Sequence, residues 1–199
     1  MKLFGLFLLA YLCGSISFAY LFTLFLTGKD IREIGTGNPG AANVARQVGK
    51  KWGIIVWMAD TIKAILPMSI AHHFGITNFI LLTLIGCCAV AGHCYPIFLK
   101  FRGGKGAAST GGILIYLAPK IFPLVIILWF FAQKTNPRSP RILLSSILIF
   151  FVFLLLIYRN ILTTARFLQL FLSILILIIL GILINRKTLL EEILKKRGG

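Results

Sequence analysis

The stretch FRGGKGAAST, residues 101–110, places three glycines around Lys105. Glycine allows the backbone to approach a ligand closely, and a lysine ammonium supplies a positive charge. Residues from Ala107 onward predict a helix directly after the glycines, and a helix N-terminus attracts anions. This combination favours a phosphate-binding loop, which we call loop 2 and which extends from residue 99, after the preceding apolar stretch, to residue 106. Its candidate residues are Gly103, Gly104, Lys105 and Gly106.

Loop 2 is not a nucleotide-binding P-loop. That motif requires G-x-x-x-x-G-K-[ST] after a strand. Here Leu99 occupies the place of the first glycine, Gly106 follows the lysine, and the surrounding sequence predicts no strand.

A second candidate region, loop 1, comprises residues 28–51 and contains DIREIGTGNPGAANVARQVGKK. Its glycines let backbone N–H groups turn toward one point, threonine and asparagine add donors, and arginine can grip phosphate with two parallel hydrogen bonds. The residues after Gly40 predict a helix. The alternative is an ordinary Gly/Asn-rich turn with a basic residue retained at the cytoplasmic face. The candidates are Thr36, Gly37, Asn38, Gly40, Asn43 and Arg46.

His93 lies just before loop 2 and has two interpretations, an interfacial hydrogen-bonding group or a general base. The H-x-x-x-x-D motif that some glycerolipid acyltransferases carry is absent, because Phe98 stands where the aspartate would be. Asp30 and Asp60 are the only aspartates, so the sequence predicts no Ser-His-Asp arrangement.

The composition predicts a membrane protein of one domain, residues 1–199. The chain is 58% hydrophobic with a mean hydropathy of +0.94, too apolar for a soluble globule. Pro119 and Pro123 interrupt one further apolar region, which predicts a short half-helix from 107 to about Ala118 and a second helix to Gln133. We therefore expect an all-α, polytopic fold with about seven helical segments. The predicted full spans are 3–27, 53–74, 78–98, 141–157 and 166–184.

The charge distribution predicts the orientation. The net charge is +16, and four segments hold 16 of the 21 Lys and Arg residues: 28–51, 99–105, 134–141 and 185–199. Basic loops stay cytoplasmic, so the N-terminus is expected outside and the C-terminus inside. This rule explains the basic excess without nucleic acid.

Asp60 and Lys63 lie inside a predicted span, three residues apart on one helix face. Such a pair is costly unless it is paired and faces the bundle, so it marks a polar seam that is either structural or functional. The four cysteines show no metal-ligand spacing and are expected to be small buried hydrophobes. The N-terminal apolar run continues to about Leu26, longer than a signal-peptide core, and is interpreted as a retained span.

Two long motifs resemble those of the bacterial acyl-phosphate-dependent glycerol-3-phosphate acyltransferases. Residues Arg32–Arg46 resemble R-x-x-G-S-G-N-x-G-A-T-N-x-x-R, and Gly92–Ser109 resemble G-H-x-x-P-x-F-x-x-F-x-G-G-K-G-V-A-T. GSISFAY (14–20) and ADTIKAILP (59–67) are also similar to family segments. The third family motif, R-H-x-x-N-x-x-R-L-x-x-G-x-E, has no clear counterpart near the C-terminus, where the chain reads INRKTLLEEILKKRGG.

The resemblance implies a seven-helix bacterial inner-membrane enzyme that needs no cofactor. It would transfer a fatty acyl group from acyl phosphate to glycerol 3-phosphate, with membrane lipid as its surroundings, and yield lysophosphatidate and phosphate. Lys105 and Arg46 would bind phosphate, and either His93 or the donor phosphate would take the hydroxyl proton. The sequence carries no signal of oligomeric state.

The role of Arg186 and the function of the protein each have an alternative interpretation. Arg186, directly after the last span, is either a substitute for the missing third motif or a positive-inside anchor. The rival function is a non-catalytic transporter or sensor of a phosphorylated metabolite. A transporter would be expected to place its ionisable groups near the midplane between inverted halves. The polar motifs here lie at one face, which favours the enzyme.

Overall fold

The computed structural model describes residues 2–121, 123, 156–159 and 161–197, and no strand occurs among them. The all-α class is confirmed. The helices are α1 (Lys2–Ser15), α2 (Phe18–Thr27), α3 (Ala41–Gln47), α4 (Lys50–His73), α5 (Phe79–Cys94), α6 (Ala107–Leu117) and α7 (Thr164–Arg197), with short 3-10 helices at Ile97–Leu99 and Pro119–Ile121.

Four helical stretches of the described chain are long and apolar enough to cross a membrane: Lys2–Thr27, Lys50–His73, Phe79–Leu99 and Thr164–Ile184. They agree with the predicted spans at 3–27, 53–74, 78–98 and 166–184. The half-helix expected after residue 107 is confirmed as α6, eleven residues long. The other two predicted segments, 119–133 and 141–157, lie largely outside the described residues.

The first span is confirmed over Lys2–Thr27, but its helix is interrupted. The helix stops at Ser15 and restarts at Phe18. In an unbroken helix the N–H of Tyr20 would donate to the carbonyl of Ile16. Here Tyr20 N donates instead to Ser17 Oγ (3.4 Å), the N-cap of α2. Lys63 Nζ on α4 takes the vacant place and donates to the Ile16 carbonyl at 2.9 Å.

Asp60 and Lys63 form a buried ion pair in the middle of α4. Lys63 Nζ lies 2.8 Å from Asp60 Oδ1, and their side chains are only 4% and 2% exposed. A lone charge at this depth would be strongly unfavourable. The expectation that the pair faces the bundle interior is therefore confirmed.

Small residues allow α1 and α5 to pack closely. Gly14 lies against the backbone of Ala89, and Gly92 lies against the backbone of Tyr11 and Ser15. In membranes, helices associate through such close van der Waals contacts rather than through hydrophobic burial. The same device joins α6 to α4, where Gly112 meets the carbonyl of Thr61. Helix α5 occupies the centre of the described bundle, in contact with α1, α4, α6 and α7.

Gly14→Val should destabilise the fold, because its side chain would meet the Ala89 backbone, which cannot rotate away. Overpacking of this kind costs about 1–3 kcal/mol. Gly5→Val in the same helix is the matched control, since a Cβ there has no neighbour within 4 Å. Thermal unfolding in detergent should show a lower Tm for the first variant only. Equal Tm values would contradict the close α1–α5 packing.

Candidate active site

Loop 2 folds back onto the end of α5. Gly103 N donates to the Cys94 carbonyl at 3.2 Å, and Gly104 N donates to the His93 carbonyl at 3.1 Å. A Cβ on Gly103 would collide with the His93 carbonyl, and one on Gly104 would collide with His93 Nε2. Neither glycine has a positive φ. Space, rather than backbone conformation, therefore requires glycine at both positions, and His93 is the group they must clear.

The turn of loop 2 is unusual because two residues other than glycine are left-handed. Lys100 has a φ of 54° and Phe101 a φ of 60°, values that cost energy for residues with a side chain. Phe101 N donates to the Pro96 carbonyl at 2.9 Å, which holds the turn. Gly106 (φ 78°) then ends the loop and begins α6, as predicted. In this conformation of loop 2, the Lys105 side chain is exposed.

Asn43 organises loop 1 from inside. Its Oδ1 accepts from Thr36 N at 3.1 Å, and its Nδ2 donates to the carbonyls of Ile31 (3.2 Å) and Ile34 (3.0 Å). The side chain is fully buried. These three hydrogen bonds engage both ends of the Asn43 amide. Direct contact between Asn43 and a ligand remains a prediction.

Arg32, the first residue of the loop 1 motif, joins the two loops. Its guanidinium forms an ion pair with Asp30 (2.6 Å), donates to the Leu99 carbonyl (3.2 Å) and lies over the Tyr20 ring. Hydrogen bonding from Arg32 lowers the pKa of Asp30. The stability this pair contributes is therefore fully present above the ordinary aspartate pKa and is lost only as pH falls through the lowered value.

Loop 1 and loop 2 converge on Gly104. A Cβ added there would lie 3.0 Å from the carbonyl oxygen of Pro39 in loop 1, on top of its collision with His93. Helix α3 begins after Gly40 as predicted, but it has only seven residues, so its dipole contributes little. Its position is fixed by α4, where Gly53 packs against Ala45.

The remaining predicted residues are placed as follows. Arg46 is exposed on α3, with Nε donating to the Ala42 carbonyl at 2.9 Å. Thr36 is exposed, and half-buried Asn38 lies beside Gly40. Arg186 is exposed on α7, a helix that packs chiefly on α5. Its role at the site remains a prediction.

Sequence reasoning missed the proximity of Asp60 to His93. Asp60 Oδ1 lies 3.6 Å from His93 Nδ1, and both side chains are buried. Asp60 was assigned to Lys63 alone because that partner is three residues away, whereas His93 is on another helix. The available signal was that both residues lie within segments resembling one family. Among the described residues, no group of three or more His, Cys, Asp or Glu could hold a metal.

Comparison with known proteins agrees with the motifs. The sequence profile of the family described as glycerol-3-phosphate acyltransferase matches residues 4–196. The chain belongs to this family. A glycerol-3-phosphate acyltransferase of Aquifex aeolicus (strain VF5) is 41% identical over 130 residues, which is 65% of this chain and 67% of the relative. Glycerol-3-phosphate acyltransferase 2 of Bacillus cereus (strain ZK / E33L) is 45% identical over 125 residues, 63% of this chain and 62% of the relative.

Solved structures of the family extend the match over nearly the whole chain. The crystal structure of PlsY (YgiH), an integral membrane glycerol 3-phosphate acyltransferase, in its glycerol 3-phosphate form superposes with a TM-score of 0.76 at 30% identity. It covers 99% of this chain and 94% of that one. The lysophosphatidic acid form gives the same TM-score at 28% identity. The protein is thus an integral membrane member of the glycerol-3-phosphate acyltransferase family.

Gly104→Val should remove the acyl-transfer activity of the family, because the side chain would displace His93 or separate the two loops. A displacement of about 1 Å at a site that works by positioning can cost on the order of 10²-fold in rate. Gly111→Val in α6 is the matched control, since a Cβ there meets nothing within 4 Å. Activity is measured as glycerol 3-phosphate-dependent lipid formation by the purified variants. Full activity of the Gly104→Val variant would show that the glycines of loop 2 form only an ordinary turn.

Proposed function

We propose that this protein transfers a fatty acyl group from acyl phosphate to glycerol 3-phosphate, giving lysophosphatidate and inorganic phosphate. One observation carries the proposal: two glycine-rich basic loops meet at Gly104, directly beside buried His93. The relatives named glycerol-3-phosphate acyltransferase support the acceptor. The PlsY structures in glycerol 3-phosphate and lysophosphatidic acid forms support an acceptor and product of this class.

The chemistry needs no covalent nucleophile on the protein. Acyl phosphate is a mixed anhydride and is already activated. The glycerol hydroxyl oxygen attacks the acyl carbon, the bond from that carbon to the phosphate oxygen breaks, and phosphate leaves. Correct placement of two bound reactants can supply effective molarities of about 10⁵ M or more. Cations and backbone N–H groups stabilise the charge that develops on the leaving phosphate.

The proposed roles follow from exposure and donor type. Lys105 and Arg46 are exposed cations on the two loops, so their charged groups are accessible to a phosphate from solvent. His93 is a catalytic candidate because its Nε2 faces Gly104. Asn43 contributes through the shape of loop 1. The proposed catalytic residues are His93 and Lys105, and the proposed substrate-binding residues are Thr36, Gly37, Asn38, Gly40, Asn43, Arg46, Gly103, Gly104, Gly106 and Arg186.

We also propose that the protein lies in the bacterial inner membrane with both loops cytoplasmic, the N-terminus outside and the C-terminus inside. Support comes from the basic residues that both loops carry and from the contact between the loops, in which Arg32 donates to the Leu99 carbonyl. Glu33→Cys in loop 1 and Thr77→Cys between α4 and α5 test this topology as a matched pair. In intact cells an impermeant thiol reagent should label only the second. Labelling of Glu33→Cys alone would invert the orientation.

The assay that tests the function uses purified protein, acyl phosphate and glycerol 3-phosphate, scored for lysophosphatidate. Lys105→Ala should lower kcat/KM by about 10²–10³-fold, the effect expected from removing one donor to a developing anion. Lys29→Ala is the control. Lys29 is an exposed lysine like Lys105, but it lies in loop 1, outside the proposed site. No turnover by the unaltered protein would overturn the proposed function. Equal activity of Lys105→Ala and Lys29→Ala would show that Lys105 has no role in the proposed reaction.

A further inference from the structure

One side chain of loop 1 reaches the backbone of loop 2. The Arg32 guanidinium donates from Nε and Nη2 to the Asp30 carboxylate at 2.6–3.0 Å, and from Nη1 to the Leu99 carbonyl at 3.2 Å. The centroid of the Tyr20 ring lies 5.3 Å from its Cζ. We call the hydrogen bonds of Arg32 with Asp30 and Leu99 the inter-loop contact.

The inter-loop contact ends at the start of a turn that residues with side chains rarely adopt. Lys100 and Phe101 directly follow Leu99, and both have a left-handed backbone, with φ values of 54° and 60°. This conformation is disfavoured about 10-fold for each residue other than glycine. Such residues persist where the surrounding structure holds them. The contacts made by this turn therefore decide whether it keeps its conformation.

Backbone hydrogen bonds hold the turn from within. Phe101 N donates to the Pro96 carbonyl at 2.9 Å, and Arg102 N donates to the Leu99 carbonyl at 3.2 Å. The Leu99 carbonyl thus accepts from both Arg102 and Arg32, which uses its two lone pairs. Within the described parts of the chain, Arg32 donates the one side-chain hydrogen bond that the backbone of residues 96–102 accepts.

The inter-loop contact requires the shape of arginine as well as its charge. The planar guanidinium presents parallel donors to a carboxylate and a further donor to a second acceptor. A lysine ammonium is a compact point charge, so at this position it would not hold Asp30 and the Leu99 carbonyl together in one fixed geometry. A partly exposed ion pair contributes little stability by itself. The bond to Leu99 is what gives Arg32 a consequence beyond loop 1.

The turn leads directly into the proposed phosphate site. Gly103, Gly104 and Lys105 follow it, and the N–H groups of both glycines donate to carbonyls at the end of α5. On the loop 1 side, a Cβ added to Gly37, which has a φ of 68°, would lie 3.1 Å from the Arg32 carbonyl oxygen. Arg32 therefore contacts both loops next to their glycine-rich parts.

We propose that Arg32 is a positioning residue of the active site, a role that rests on the function proposed above. Through the inter-loop contact it holds the strained turn at Lys100 and Phe101, so that the glycines of loop 2 and Lys105 are in place before a substrate phosphate binds. Arg32 acts through this turn and does not touch the substrate. Without the contact the turn relaxes, and only a fraction of the protein is then competent to bind. The apparent affinity falls by that fraction.

A kinetic test uses two variants of Arg32. Arg32→Gln removes the charge, and Arg32→Lys keeps the charge but not the planar group. Both should raise KM for at least one substrate about 10-fold and leave kcat within about threefold, because saturating substrate restores the competent form. A merely structural role would lower the amount of folded enzyme, and hence kcat, with KM unchanged. That result would overturn the proposal.

Arg159→Gln is the matched control for the loss of an arginine. Arg159 is exposed in the connection before α7, outside both loops. The same substitution there should leave kcat and KM within about twofold of the unaltered protein. An equal rise in KM in Arg159→Gln and Arg32→Gln would assign the effect to net charge and overturn the proposal.

A rescue at Lys100 tests the role of the strained turn directly. Glycine adopts the left-handed conformation without steric cost, whereas alanine does not. In the Arg32→Gln background, Lys100→Gly should return KM to within about threefold of the unaltered protein. Lys100→Ala removes the same charge and should give no recovery. Equal KM values in the two double variants would overturn the proposal, because Arg32 would then act on something other than the turn.

Hydrogen exchange in loop 2 separates this proposal from the proposed function. The amides of Phe101, Gly103 and Gly104 have backbone acceptors and should be protected in the unaltered protein. Arg32→Gln should lower their protection factors about 10-fold, and adding Lys100→Gly, but not Lys100→Ala, should restore them. This pattern in a protein without turnover would support the positioning role while the proposed function fails. Unchanged protection in Arg32→Gln would overturn the positioning role even in an active enzyme.

Discussion

A charge inside an apolar bilayer must find a partner, and in this protein that constraint connects the fold to the site. Lys63 satisfies it twice, with the Asp60 carboxylate and with the Ile16 carbonyl. The second partner exists only because the first span breaks and releases a backbone acceptor. The break in the first span thus supplies a backbone acceptor for a charge on another helix.

The loops obey a different constraint, that of space. Gly103 and Gly104 let the chain lie directly against His93, and Arg32 holds loop 1 to the same turn. With the pre-activated acyl donor proposed above, the protein has little covalent chemistry to perform, and most of the catalysis would come from holding two anionic substrates in register. Rigid contacts between loops serve that task better than mobile side chains alone.

The sequence was informative wherever a single segment determines the local structure. Hydropathy alone predicted the spans now seen as α4, α5 and α7, and Pro119 predicted the end of α6. The glycines of loop 2 indicated close backbone approach. The two long motifs were sufficient to identify the family from the sequence alone.

Prediction from sequence failed where contacts between residues far apart in the sequence determine the structure. The carbonyl left free at Ile16 accepts from Lys63, 47 positions away, and local signals such as Ser17 are weak inside an apolar run. The neighbour of His93 is an aspartate 33 positions earlier that already had a partner on its own helix face. The sequence also does not show that the Asn43 amide bonds within loop 1, and contact between Asn43 and a ligand stays a prediction.

The central claim is that loop 1, loop 2 and His93 form one phosphate site. The most direct measurement is an experimental structure of the purified protein with glycerol 3-phosphate bound. Phosphate should lie between the loops, with an oxygen at hydrogen-bonding distance from the Lys105 ammonium and the glycerol hydroxyls on the His93 side. Phosphate bound elsewhere, for example at the opposite end of α4, where His72 Nδ1 lies 2.8 Å from the Tyr116 hydroxyl, would exclude this site.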